Sequence, residues 1–150
     1  MADTFKIYKK DGTKVVEGAS PLSITGVAPN TDVAKGDYQA ARVSGETESA
    51  KVDIPAFKTL PIAVTGVALD KTAATVKQGD TLKLTPTVTP ANATDKSGAW
   101  KSSDTAVATV ADGTVTVNAE AVVAATANIT FTTKDGGKVA TCKVTVSAKA

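Results

Sequence analysis

An all-β chain of two small domains is predicted by three observations. Val, Ile and Thr recur in short alternating runs, and Gly, Pro, Asn and Asp interrupt those runs about every eight to twelve residues. The 150 residues are 42% hydrophobic, enough to supply a core for each of two small domains. The second half alone carries seven short strand signals at the spacing of a β-sandwich. A boundary is expected at Thr59-Leu60-Pro61, between the run ending at Phe57 and the run beginning at Ile62.

In the first domain, residues 1–58, Thr4-Phe5-Lys6-Ile7-Tyr8 alternates and is followed by Asp11-Gly12, a hairpin turn into Lys14-Val15-Val16. Leu22-Ser23-Ile24-Thr25 reads as a strand and Ala28-Pro29-Asn30-Thr31 as a corner. Runs 38–43 and 50–57 are strands around a polar Ser44 to Ser49 turn. In the second domain, residues 61–150, strands are expected at 64–69, 81–89, 99–102, 106–110, 114–117, 127–133 and 139–147. Ala127, Ile129 and Phe131 share one face of the sixth, and Lys134-Asp135-Gly136-Gly137-Lys138 turns the chain into the seventh. Cys142 is in phase with Ala140, Val144 and Val146, so its thiol points inward. Pro86 is in phase with Leu82, Leu84 and Val88; a proline forfeits a ladder hydrogen bond, which requires an edge or a bulge there. Pro21-Leu-Ser-Ile-Thr-Gly-Val-Ala and Pro61-Ile-Ala-Val-Thr-Gly-Val-Ala echo one another across the two halves.

Composition narrows the chemistry. The chain has no His, which removes Ser-His-Asp, Cys-His and His-based zinc sites, and its single Cys142 cannot close an internal disulfide. Asp80, Asp95, Asp104, Asp112 and Asp135 stand singly beside Gly, Ser or Thr, as turns require, rather than converging like calcium ligands. Glu46 and Glu48 lie on a polar turn, and no catalytic constellation, cofactor site or metal site is read from the sequence. A formal charge of +2 with both signs interspersed argues against a nucleic-acid partner, and Lys9 and Lys10, like Lys134 to Lys138, flank a Lys-Asp-Gly turn and read as solvated turn charge. The N-terminus lacks the basic-then-apolar pattern of a secretory signal and no apolar run reaches about 20 residues, so a soluble chain made in a cytoplasm, with no membrane partner, is expected. Asn92-Ala-Thr and Asn128-Ile-Thr satisfy the glycosylation pattern but read as coincidences in such a chain.

Residues 84–117 carry a Thr-Pro turn, the lone Trp100 on a short strand, a Ser-Ser-Asp turn, Val107-Ala-Thr-Val110 and an Asp112-Gly113 hairpin. In that order they resemble bacterial Ig-like domains of the group 2 type, and the resemblance extends over residues 62–147. It implies an Ig-like Greek-key β-sandwich with Trp100 in its core rather than on a sugar-stacking platform. It also places residues 118–127, which have helical propensity, where the family carries a Gly-containing loop; an irregular connection with room for one helical turn is expected. Residues 5–57 resemble the second half of a fibronectin type III domain, whose first two strands and usual core Trp have no counterpart.

The pairing is similar to small structural proteins of tailed phages, in which such a domain is displayed on a capsid or tail. The resemblance implies a non-enzymatic virion accessory protein, first a head decoration protein, with a tail structural protein or a carbohydrate-binding adhesin module as alternatives. Capsid or tail proteins are the implied partners, with self-association and a host-surface glycan as further ones. A fibronectin-like sheet of this size is marginal alone. The first domain is therefore expected to anchor, through Phe5, Tyr8, Lys9 and Lys10 around one hairpin, while the second projects outward.

Overall fold

A computed structural model describes residues 3–149, and among them every regular element is a strand. The chain divides into two compact units, Met1–Pro61 and Ile62–Ala150.

The first unit contains β1 (Thr4–Lys9), β2 (Lys14–Gly18), β3 (Asp32–Val33), β4 (Tyr38–Ser44), β5 (Thr47–Glu48), β6 (Val52–Asp53) and β7 (Phe57–Lys58). Its antiparallel sheet has the order β2-β1-β4-β5, with β6 also on β4, while β3 and β7 form a separate ladder. Register separates the faces. Ile7 lies opposite Val16 and Ala40, whereas Lys6 lies opposite Glu17 and Ala41, so the odd-numbered β1 residues form the apolar face and the even-numbered ones a polar face. The Asp11 carboxylate accepts from Thr13 N at 2.8 Å and closes the first turn. Among the described residues of this unit, three apolar ones fall in the buried class, Ile7, Val33 and Ala41.

Two sequence expectations fail in this unit. Residues 22–25 form no strand: Pro21 and Pro29 flank the segment, Gly26 turns the chain at φ 79°, and no neighbouring strand receives it. The run 50–57 is not one strand but β6 and β7. Ile54 N still donates to Tyr38 O at 2.9 Å, and Pro55, which has no N–H, ends that ladder.

The second unit is an Ig-like sandwich of β8 (Gly66–Leu69), β9 (Ala73–Lys77), β10 (Thr81–Lys83), β11 (Pro86–Thr89), β12 (Gly98–Ser102), β13 (Ala108–Ala111), β14 (Thr114–Val117), β15 (Thr126–Thr133) and β16 (Val139–Ser147). One layer is the sheet β12-β15-β16-β9; the other comprises β10-β14-β13 and the pair β11-β8. The core lies along β15 and β16, where Ile129 faces Cys142 and Ala127 faces Val144, all at most 1% exposed. Leu84, Val115 and Val117 pack in the same cluster.

Pro86 does more than mark an edge. The expected strand 81–89 splits there, β10 pairing with β14 and β11 with β8. Asp70 pins the break: Thr85 N donates to its carboxylate at 2.8 Å, and Asp70 N donates to Thr85 O at 3.1 Å. The sequence reading missed β9, which pairs in parallel with β16 and turns Val76 inward. Residues 118–125 form turns without helix, because Ala124 N donates to Val146 O and Val146 N donates to Ala125 O, both at 2.9 Å. Sheet-type bonds have taken the groups a helical turn would use. Trp100 is half-buried rather than enclosed: its ring lies 4.9 Å from that of Phe131, at the margin of the core.

The Asp112-Gly113 turn is fixed by shape. Both residues have positive φ, 47° and 78°, as a type I′ hairpin requires, and a Cβ on Gly113 would stand 2.6 Å from Leu84 O. Leu84 N donates to Gly113 O at 2.8 Å, which locks the turn over the 1%-exposed Leu84. Truncation of Leu84 to Ala is expected to cost about 2–5 kcal/mol. Val139→Ala, at a side chain 58% exposed, is expected to stay within about 0.5 kcal/mol. Urea denaturation of both variants checks the contrast.

Candidate interaction surface

The four residues singled out for anchoring do not converge. Phe5 and Lys9 lie on the apolar face of the first sheet, opposite Arg42 and Tyr38, while Tyr8 lies on the other face opposite Gln39. Strand alternation separates them, since positions of unlike parity on one strand face opposite ways. Tyr8 is also occupied. Its hydroxyl donates to Glu48 Oε1 at 2.8 Å, and Lys51 Nζ stands 3.9 Å over its ring.

Glu48 organises this polar face. Lys6 Nζ donates to its Oε2 at 2.9 Å in the other half of the cluster. Bonds first from Lys6 and then from Tyr8 hold the Glu48 carboxyl below its ordinary range. Partial burial and then the bond to Glu48 raise the Tyr8 phenol, and the bond to Glu48 raises the Lys6 ammonium. This is structural electrostatics: three side chains from β1 and β5 fasten a short edge strand to the sheet.

Lys9 and Lys10 do reach a concavity. They rim an open depression of about 500 Å³ floored by Val27, Val33 and Tyr38. A second depression of about 400 Å³ shares Asp32 and Val33 and adds Ala56 and Phe57. Tyr38 and Phe57, which line different depressions, approach to 6.4 Å between ring centroids. The carboxylates at the rim have local tasks: Asp11 bonds Thr13 N, Asp37 bonds Ala34 N at 2.9 Å, and Asp32 pairs with Lys58 at 3.3 Å. Lys9 and Lys10 take part in no ion pair among the described residues. The depression thus combines an apolar floor with a rim of mixed charge, Lys9 and Lys10 beside Asp11, Asp32 and Asp37. Sequence reasoning found the two lysines but not Val27, Val33, Tyr38 or Phe57. Those come together only through the β3–β7 ladder, a pairing of two-residue strands with no local signal.

In the second unit the acidic turn residues serve the backbone. Asp95 accepts from Ser97 N at 2.9 Å, Asp104 from Ala106 N at 2.9 Å and Asp135 from Val64 N at 2.7 Å. No group of three or more potential metal ligands gathers among the described residues. Cys142 is fully buried, and that burial raises its thiol above the usual range, which disfavours the reactive thiolate. No helix of the described residues is long and apolar enough to cross a membrane.

Because the Glu48 carboxyl is held low in the folded state, the folded chain binds fewer protons there than the unfolded chain does. The stability it contributes is present above the usual carboxylate range and lost as pH falls through the depressed value. Glu48→Gln is therefore expected to flatten the acid limb of the first unit's unfolding curve. Chemical-shift titration of β1 and β5 amides against pH measures it; an acid limb identical in the variant would contradict the assignment.

Comparison with known proteins places these features in context. The chain is 43% identical over 106 residues to an alpha-L-arabinofuranosidase of Bifidobacterium longum subsp. longum, covering 69% of this chain and 10% of that protein. It is 44% identical over 86 residues to an Ig-like virion protein of Serratia phage KSP90, covering 57% of this chain and 33% of that protein. The chain therefore spans a tenth and a third of the lengths of these two relatives. Among solved structures, domains 1–6 of the surface layer protein SbsC share the fold, with a TM-score of 0.50 and 24% identity over 99% of this chain and 20% of that one. Residues 63–144, from just before β8 to the middle of β16, match the bacterial Ig-like domain (group 2), and the chain belongs to that family.

Proposed function

We propose that this chain is a non-enzymatic accessory protein of a tailed-phage virion, displayed on the head as a decoration protein. The observation that carries the reading is its 44% identity to the Ig-like virion protein of Serratia phage KSP90 over 86 residues. The side-chain chemistry supports it. Asp95, Asp104 and Asp135 are spent on backbone donors, and the thiol is buried. The arabinofuranosidase match is compatible, because the shared piece is a tenth of that enzyme.

Within this reading the two units divide the work. Residues 1–58 dock on the virion, with Lys9 and Lys10 meeting acidic groups of a capsid protein and the Val33–Phe57 floor receiving an apolar side chain. Residues 61–150, with their own continuous core, project outward. A glycan-binding role is disfavoured by the rings: Trp100 packs on Phe131, Tyr38 approaches Phe57, and Tyr8 lies under Lys51, which leaves few faces for a sugar.

Immunogold labelling of virions with antibodies to the chain tests the assignment. Label over the head surface is expected, and Lys9→Glu with Lys10→Glu in the full chain is expected to abolish its retention on particles. Label confined to the tail would move the site of display, and virions without label would overturn the reading.

A further inference from the structure

The strands β12, β15, β16 and β9 contain three lysines, Lys101, Lys143 and Lys77, and no aspartate or glutamate. Register puts all three on one face. Lys101 lies opposite Thr130, Lys143 opposite Asn128 and Ala73, and Lys77 opposite Ser147. These positions alternate with Trp100, Ile129, Val144 and Val76, which turn to the core, so the lysines stand on the outer side of the sheet, and all three are exposed. None of them takes part in a side-chain hydrogen bond or ion pair among the described residues. The opposite layer differs: its strands carry one lysine, Lys83, whose ammonium donates to Asp112 O at 2.6 Å.

Between the lysines the face is built of hydroxyls. Thr75, Thr145 and Thr126 form one rung across three strands, and Thr141 and Thr130 lie side by side in another. The rings of Trp100 and Phe131 turn the other way, onto each other and the core. From the spacing and rise of strands, Lys101 and Lys143 are about 12 Å apart at the backbone and Lys143 and Lys77 about 14 Å, along one diagonal of the sheet.

That pattern selects a class of partner. Duplex nucleic acid carries about one charge per 1.7 Å, far denser than this row of cations, and single strands are gripped by stacked rings that the face does not present. A protein partner needs an apolar centre to cover, and the large apolar side chain on this face among the described residues is Val139, at its end. The rings that leave no platform for a neutral sugar do not bear on a ligand held by charge. We propose that the outer face of the β12-β15-β16-β9 sheet binds a linear acidic polysaccharide, its well-separated carboxylates on Lys101, Lys143 and Lys77 and its hydroxyls on the threonine rungs. The inference goes beyond the virion assignment and does not depend on it.

Titration of the full chain with hyaluronan oligosaccharides, which carry a carboxylate on alternate sugars, tests it through backbone amide shifts. Shifts are expected at Lys77, Lys101, Lys143 and Thr145 and not in β1 or β4, with an affinity that falls as salt is raised. Dextran, the neutral control, is expected to move nothing. Lys77→Gln, Lys101→Gln and Lys143→Gln together are expected to weaken binding by more than about tenfold, with the unfolding midpoint unchanged because the side chains are exposed and unpaired. Thr75→Val with Thr145→Val keeps every charge and is expected to weaken binding as well; binding unchanged by it would leave charge alone at work and overturn the polysaccharide assignment. So would an absence of shifts with hyaluronan, an equal response to dextran, tighter binding of a DNA duplex, or a complex that survives the triple lysine substitution.

Discussion

Burial of one face of the β15–β16 hairpin is the constraint on which the second unit depends. Its inward residues, Ala127, Ile129, Phe131, Cys142, Val144 and Val146, are at most 4% exposed, and both layers of the sandwich close on them. A one-residue slip in either strand would expose the whole row, so register is tightly specified. Thr133 fixes that register at the turn end: it is 2% exposed, its hydroxyl donates to Asp135 O at 2.7 Å, and that hydroxyl accepts from Lys138 N at 2.8 Å. Asp135 then reaches Val64 N and ties the hairpin to the segment that enters the unit. The same few residues therefore set the hairpin, its partner strand and the mouth of the core.

The first unit rests on a different balance. With Ile7, Val33 and Ala41 the buried apolar residues among those described, it is held largely by its sheet ladder, to which the Lys6–Glu48–Tyr8 cluster adds little. Partly exposed ion pairs of this kind stabilise little in water. A unit with so few buried apolar side chains is stabilised by any further apolar area that is covered.

Alternation made most of the second unit legible. The β12 to β16 strands, the Asp112-Gly113 hairpin and the inward thiol of Cys142 all follow from a two-residue period and strong turn residues. The failures have physical causes. Trp100 sits at the core margin because an aliphatic cluster already fills the centre, and its ring packs against that cluster and lies 4.9 Å from Phe131. Strand β9 was hidden by its small alanines, and the split at Pro86 depends on Asp70, fifteen residues before its hydrogen-bond partner Thr85. Of the anchoring residues, parity alone sets Tyr8 apart from Phe5 and Lys9. The concavity itself is non-local, since β3 and β7, two residues each, join Asp32 to Lys58 and Val33 to Phe57. Residues 22–25 read as a strand because they have strand chemistry, and what they lack is a neighbour.

The central claim is that the two units differ in how they are held, the second by a large apolar core and the first mainly by its sheet ladder. Residue-resolved native-state hydrogen exchange on the full chain measures this directly. The account predicts that the Ile129, Phe131, Cys142 and Val144 amides exchange only by global opening of their unit, while Ile7 and Ala41 exchange through a lower-energy opening that rises when a partner is bound. Equal protection in the two units of the free protein, unchanged by a partner, would contradict it.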